Sequence, residues 1–341
     1  MSNDRLHLLV GKSYDIAVVG ASGAVGAELL DVLKRRAFPV RKLRLLASAR
    51  SAGKMMRFRE EDISVQELLG DSFTGVDLAF FSAGGEISRR FAPIAAAAGA
   101  VVIDNSSTFR MNPDVPLVIP EINGTDARDH RGIIANPNCT TAVSLMALYP
   151  LHVAFGVRRV FASSYQAVSG SGSRAIAELK RQVSQAESNN PAAPEVYPHP
   201  IAFNVLPHVD GFLETGYTKE EMKMQNEGRR IMHLPDFRAS VTCVRVPVYR
   251  AHSVAISAEF ERPVSLQEAH AVLRKAPGLD VVDEPASNQY PMPIAAAGRD
   301  NCQVGRLRLD CAFENGLALW VSGDQLLKGA ALNAVQIAEL L

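Results

Sequence analysis

A cysteine acts as a nucleophile only as the thiolate, and one of the four cysteines in this chain stands where that form is favoured. Cys139 follows Asn136-Pro137-Asn138 and precedes Thr140-Thr141, between the apolar GIIA at 132–135 and a run with helical character at 140–151. A thiol at or just inside a helix N-terminus meets the positive end of the helix dipole, which lowers its pKa. An inert buried thiol is the commoner fate of a lone cysteine, and the helix start argues against that fate here. Cys243 lies inside the strand-like stretch 240–246 and reads as core filler. Cys302 and Cys311 have no comparable helix start. No two cysteines have the C-x-x-C spacing of a zinc or redox site, and four in 341 residues make a disulfide framework improbable.

A second chemistry is anion binding. Gly20-Ala21-Ser22-Gly23-Ala24-Val25-Gly26 follows the apolar strand-like run 14–19 and opens a helix with Leu29, Leu30 and Leu33 at helical spacing. Glycines let the backbone turn tightly and bring N–H groups up to a pyrophosphate, so the context points to a dinucleotide; a tight turn without a ligand is the alternative. The spacing is G-x-x-G-x-x-G. Where NAD-specific sites end their second strand with an acidic residue, this chain runs into Ala47-Ser48-Ala49-Arg50-Ser51. A cation and two hydroxyls suit the 2′-phosphate of NADP, and a carboxylate would repel it. Taken alone, Arg50 is also compatible with an ordinary solvated arginine.

Glu220 and Lys223 fall at i and i+3 in the first turns of an expected helix, with Thr218 as a cap and Glu221 completing a capping box. By spacing alone they read as a surface pair on a well-capped amphipathic helix.

These groups need elements to position them. The strand-like runs 14–19, 42–47, 76–82 and 100–104, the last three each preceded by a stretch compatible with helix, imply a parallel sheet with helices on both faces and ligands at the strands' carboxyl ends. After Cys139 the β-branched or alternating segments 159–167, 239–248 and 253–260 imply a second, α+β domain. The proline-rich 191–200 reads as a surface loop of that domain. Residues 326–341 have helical spacing and are expected to return to the first domain. The expected division is 1–138 plus about 326–341 for nucleotide binding and 139–325 for catalysis and dimerisation.

Composition narrows the function. The chain is 47% hydrophobic and 21% charged, with 36 basic and 36 acidic residues. It carries no global field for a nucleic acid or an anionic membrane. The longest apolar stretch, 93–103, is short of the roughly 18 residues that hint at a span. Residues 1–13 lack the pattern of a signal peptide, so a cytoplasmic location is expected.

The ordered motifs carry a resemblance over nearly the whole chain. GASGAVG at Gly20, ASARSAG at Ala47, DNSSTFRM at Asp104, NPNCTT at Asn136, YQAVSGSG at Tyr165, FNVLPHVD at Phe203, GYTKEEMKM at Gly216, TCVRVPVYRAHS at Thr242 and GDQLLKGAALNAVQ at Gly323 resemble the aspartate-semialdehyde dehydrogenase family. The resemblance implies a Rossmann-type NADP domain, an α+β catalytic and dimerisation domain, a returning C-terminal helix and a homodimer. It implies NADP-dependent, reversible conversion of aspartate semialdehyde and phosphate to aspartyl phosphate, on the route to lysine, threonine, methionine and isoleucine. By motif, Cys139 is the nucleophile and His252 the acid/base, Gln166 positions the acyl carbonyl, and Asn138 supplies a donor beside the nucleophile. Arg245 forks onto the substrate carboxylate, Glu220 meets the amino group, and Arg110 with Lys223 holds phosphate. Ser22, Ala24, Val25, Ser48, Ser51, Ser169, Gly170 and Gln325 join the glycines and Arg50 around the cofactor.

Two departures stand out: Val254 where many relatives have Glu, and Asp324-Gln325-Leu-Leu-Lys328 where Asp-Asn-Leu-Arg-Lys is usual. Arg245 and His252 are an odd number apart, so on one strand they would face opposite sides, and the chain must bend between them. The rival readings are an N-acetylglutamyl-phosphate reductase and a catalytically lapsed paralogue.

Overall fold

The computed structural model describes residues 12–186 and 193–341. The N-terminal stretch without a signal pattern lies outside the described residues except for its last two, and so do the first two residues of the proline-rich loop. The chain divides into two compact units, one formed by Met1–Pro137 with Ala330–Leu341 and the other by Asn138–Gly329.

The first unit runs β1 (Tyr14–Val19), α1 (Ala24–Arg35), β2 (Val40–Ala47), β3 (Met55–Phe58), β4 (Glu61–Glu67), β5 (Leu78–Phe81), α2 (Gly85–Ala97), β6 (Val101–Asp104), α3 (Pro120–Asn123) and β7 (Ile133–Ala135). Its seven-stranded sheet has the order β3-β4-β2-β1-β5-β6-β7, parallel except for the β3–β4 pair. β1 and β5 are buried almost throughout, as central strands covered on both faces must be. The chain reverses order across β1, leaving a crevice at the carboxyl ends of β1 and β5.

One expectation fails. No α-helix lies between β2 and β5; the chain makes a hairpin there, with Arg59 at φ 54° in its two-residue turn. Along β4 only Val65 is fully buried and its neighbours are polar, the period of two proper to a strand near a sheet edge.

The second unit runs α4 (Cys139–Phe155), β8 (Val157–Gln166), α5 (Ser173–Gln185), α6 (Lys219–Ile231), β9 (Arg238–Arg245), β10 (His252–Phe260), α7 (Leu266–Lys275), β11 (Leu279–Val281), α8 (Pro293–Ala296), β12 (Cys302–Leu309) and β13 (Gly316–Gly323). Its mixed sheet has the order β11-β12-β13-β10-β8-β9. α4 is apolar on every side and packs against β8, β10, β13, α6 and α7. A helix so enclosed holds its first residue still. The chain then returns to the first unit, where α9 (Leu332–Ala338) packs on α1, α3 and β6. Among the described residues no helix is long and apolar enough to cross a membrane.

Candidate active site

Cys139 is the first residue of α4, partly exposed, and Asn138 is its N-cap. The Asn138 side-chain oxygen accepts from the N–H groups of Thr140 and Thr141 at 3.0 and 3.1 Å, closing two of the orphan donors of the first turn. Its amide nitrogen donates to Glu220 Oε1 at 3.0 Å, so the donor expected near the nucleophile is already half committed. Cys243 is the contrast: it is buried in β9, and burial pushes its thiol up to about 12.

Glu220 gathers several groups. Its Oε1 also accepts from Gln166 Nε2 at 3.2 Å, and its Oε2 pairs with Lys223 at 2.7 Å. Burial alone would raise this carboxyl; the Lys223 ammonium and the hydrogen bonds from Lys223, Asn138 and Gln166 outweigh it and hold the group below its ordinary value. The surface-pair reading of Glu220 and Lys223 therefore does not hold: Glu220 is 8% exposed and faces the N-cap of α4. The Thr218–Glu221 capping box forms. Lys223 also reaches Asp210 at 3.2 Å.

Arg245 ends β9 and His252 begins β10, and β8 lies between those two strands. The bend needed between them comes from the loop 246–251, whose last residue, Ala251, has φ 71°. Both side chains meet at Ala167, one residue beyond β8. Arg245 Nη1 donates to the Ala167 carbonyl at 2.8 Å, and the Ala167 N–H donates to His252 Nδ1 at 3.1 Å. With Nδ1 accepting, the neutral ring carries its proton on Nε2. The ring is fully buried, Nε2 has no hydrogen-bond partner among the described residues, and burial with the Arg245 guanidinium nearby holds the imidazole well below its ordinary value. His252 thus presents an N–H donor at neutral pH.

Of two further features of this cluster, Tyr197 carries no sequence signal, and Gly170, expected at the cofactor, packs against Arg245 and His252. The Tyr197 ring lies 5.8 Å from the Arg245 guanidinium carbon, on a loop held by Glu178, which accepts from the Glu195 and Val196 N–H groups, and by Gln182, which accepts from Ile201 and Ala202. At Gly170 an added Cβ would lie 3.1 Å from Arg245 Nη1 and 3.2 Å from His252 Cε1. Gly170→Ala is expected to cost about 1 kcal/mol of stability but to lower kcat/KM on the order of tenfold by displacing both side chains. Steady-state kinetics beside a melting curve checks this.

Gln325 is spent inside the unit: its amide nitrogen donates to Ser169 Oγ, and its oxygen accepts from the Ala251 N–H at 2.8 Å. Val254 is buried core in β10.

The remaining expected residues belong to the first unit. Gly23 caps α1 without a side-chain hydrogen bond. A Cβ on Gly20 would meet the Ser82 backbone at 2.8 Å, and one on Gly26 would meet the Gly20 oxygen at 2.4 Å, so the turn exists only with glycine at both places. The helix N-terminus behind it, through Ala24 and Val25, fits a pyrophosphate. Ser22 Oγ donates to Ser51 Oγ at 3.2 Å, tying this turn to the short 3-10 segment Ala49–Ser51, which Ser48 precedes and on which Arg50 is exposed. Arg110 is buried, donating to the carbonyls of Asn136 and Asn105 at 2.8 Å each. Among the described residues no cluster of three or more metal-ligating side chains is present.

Comparison with known proteins fits both units. Residues 15–130 match the family "Semialdehyde dehydrogenase, NAD binding domain", and residues 148–328 match "Semialdehyde dehydrogenase, dimerisation domain". An aspartate-semialdehyde dehydrogenase of Aquifex aeolicus (strain VF5) is 52% identical over 96% of this chain and 98% of its own length. Among solved structures, aspartate semialdehyde dehydrogenase II of Vibrio cholerae, complexed with ASA, aligns with a TM-score of 0.94 at 43% identity over 97% of this chain and 98% of that one. An aspartate semialdehyde dehydrogenase of Candida albicans with NADP aligns at 0.76 and 25% identity, covering 97% and 98%.

Proposed function

The chain belongs to the aspartate-semialdehyde dehydrogenase family, and we propose on that premise that it interconverts L-aspartate 4-semialdehyde with phosphate and L-4-aspartyl phosphate through a thioester on Cys139. The supporting observation is the convergence of Arg245 and His252 on Ala167, in the unit whose main helix begins with Cys139.

In the reducing direction the Cys139 thiolate attacks the acyl carbon, the C–S bond forms as the C–O bond to phosphate breaks, and phosphate leaves with its electron pair. Held by the glycine turn and the Ser48–Ser51 segment, NADP in its reduced form would supply the hydride for the thioester carbon. The resulting alkoxide takes a hydrogen bond from His252 Nε2–H, then collapses to the aldehyde as the C–S bond breaks and the thiolate is restored. Gln166 orients the acyl oxygen and Asn138 sets the helix start. Arg245 binds the α-carboxylate, Glu220 the amino group, and Lys223 with Arg110 the phosphate. Engaged by Ser169 and Ala251, Gln325 would act toward the cofactor by holding those two segments in place.

NADP is proposed over NAD because Arg50, Ser48 and Ser51 follow β2 without an acidic residue among them. A homodimer is proposed through the open face of the six-stranded sheet, where Phe161 is 51% exposed. The cytoplasm is proposed as its location.

The test is an assay with semialdehyde, phosphate and either cofactor. Turnover is expected only with phosphate and faster with NADP, and Arg50→Ala should erode that preference. Turnover with N-acetylglutamate semialdehyde alone, or none at all, would overturn the reading.

A further inference from the structure

Glu227 has no part in the reading above, yet its carboxylate touches the residue before the nucleophile. It lies on α6, is 2% exposed, and its Oε2 accepts from the Asn138 backbone N–H at 2.7 Å. Glu220, seven residues earlier on the same helix, takes the Asn138 side-chain donor. Residues at i and i+7 share a helix face, so two carboxylates reach the same residue from one side of α6. The other two polar groups of Asn138 are also engaged: its side-chain oxygen caps Thr140 and Thr141, and its carbonyl accepts from Ala142 N–H at 2.8 Å. Each of these polar groups of the residue ahead of Cys139 therefore has a fixed partner.

Burying a carboxylate is costly unless hydrogen bonds and local positive potential offset it. The N-terminus of α4 supplies both. α6 is itself held firmly beside this point: Gly228, next to Glu227, has no room for a Cβ because the Phe237 ring would be 2.9 Å away, and Phe237 is fully buried. A glycine inside a helix weakens it; here it lets α6 seat closely and fixes where Glu227 projects.

We propose that Glu227 is a positioning residue for the nucleophile: by holding the Asn138 N–H it fixes the first turn of α4 and the direction in which Cys139 presents its sulfur. The proposal rests on the assignment of Cys139 as nucleophile, and part of its test is independent of that assignment. Glu227→Ala removes the acceptor, whereas Glu227→Gln keeps a carbonyl oxygen in reach.

In the full-length protein, Glu227→Ala is expected to speed hydrogen exchange at the Asn138 amide more than tenfold, while Glu227→Gln leaves it protected. In the assay, Glu227→Ala should lower kcat by about 100-fold, the scale of an ångström misplacement, with KM for the semialdehyde within about threefold and recovery of kcat in Glu227→Gln. An unchanged kcat in Glu227→Ala would overturn the proposal. So would an equal loss of kcat in both variants, since charge and not the hydrogen bond would then be the cause. Should Glu227→Ala fail to fold, Glu227→Asp, with its oxygen drawn back, replaces it under the same criteria. A wild-type enzyme without turnover would refute the functional assignment, whereas the exchange measurement would still accept or reject the clamp.

Discussion

Cys139→Ala should lose about 10⁴-fold or more in kcat, because removing a nucleophile abolishes the covalent route. The fold should tolerate the change. Cys139 is partly exposed at the first position of α4, its cap is made by Asn138, and alanine suits a helix at least as well. The melting temperature is therefore expected to stay near wild type while turnover disappears. A second measurement separates chemistry from binding: wild-type protein given aspartyl phosphate without cofactor should carry an acyl adduct on the peptide containing Cys139, and the variant should carry none. Retention of more than a tenth of the wild-type kcat would refute the thioester assignment.

His252→Asn is expected to lower kcat by about 10²- to 10⁴-fold, the range for loss of a positioned proton donor. Asparagine is chosen because its side-chain oxygen reaches the place of Nδ1 and keeps the bond from Ala167 N–H, so that only the Nε2–H donor is deleted. The same variant bears on stability against pH. Burial and Arg245 hold the His252 pKa well below 6.5, its value in an unfolded chain. As pH falls below 6.5 the unfolded chain binds a proton that the folded one refuses, so stability is complete above that value and declines with acidification toward the folded-state pKa. Denaturant titrations at several pH values should show a shallower acid decline in His252→Asn. An identical decline would mean that other groups carry it.

How far the site was legible in the sequence depended on which atoms do the holding. Cys139 at a helix start could be read because its cap is a side chain, Asn138, of a type that prefers that position. The glycine turn could be read because a Cβ at Gly20 or Gly26 would strike backbone. The link between Arg245 and His252 was hidden, since it runs through the main chain of Ala167, and every residue type but proline offers the same N–H and C=O. Tyr197 escaped because its loop is pinned by backbone donors to Glu178 and Gln182, which read as ordinary helix residues. Glu220 was legible only by resemblance, because spacing alone argued for a solvated pair, and burial is a tertiary property. The β3–β4 hairpin was missed for a different reason: a short, charged strand pair near a sheet edge has too few apolar positions to announce its period.

The main-chain link at Ala167 has an evolutionary side. Mutation can alter a side chain but not the backbone N–H that every non-proline residue carries. Exchange of the Ala167 methyl for a hydrogen or a hydroxymethyl would leave Arg245 and His252 joined as before, and only proline would delete the donor to the imidazole. The relative placement of the two side chains is thus sheltered from drift at the position that creates it, and the mutational target for breaking it shifts to neighbours such as Gly170.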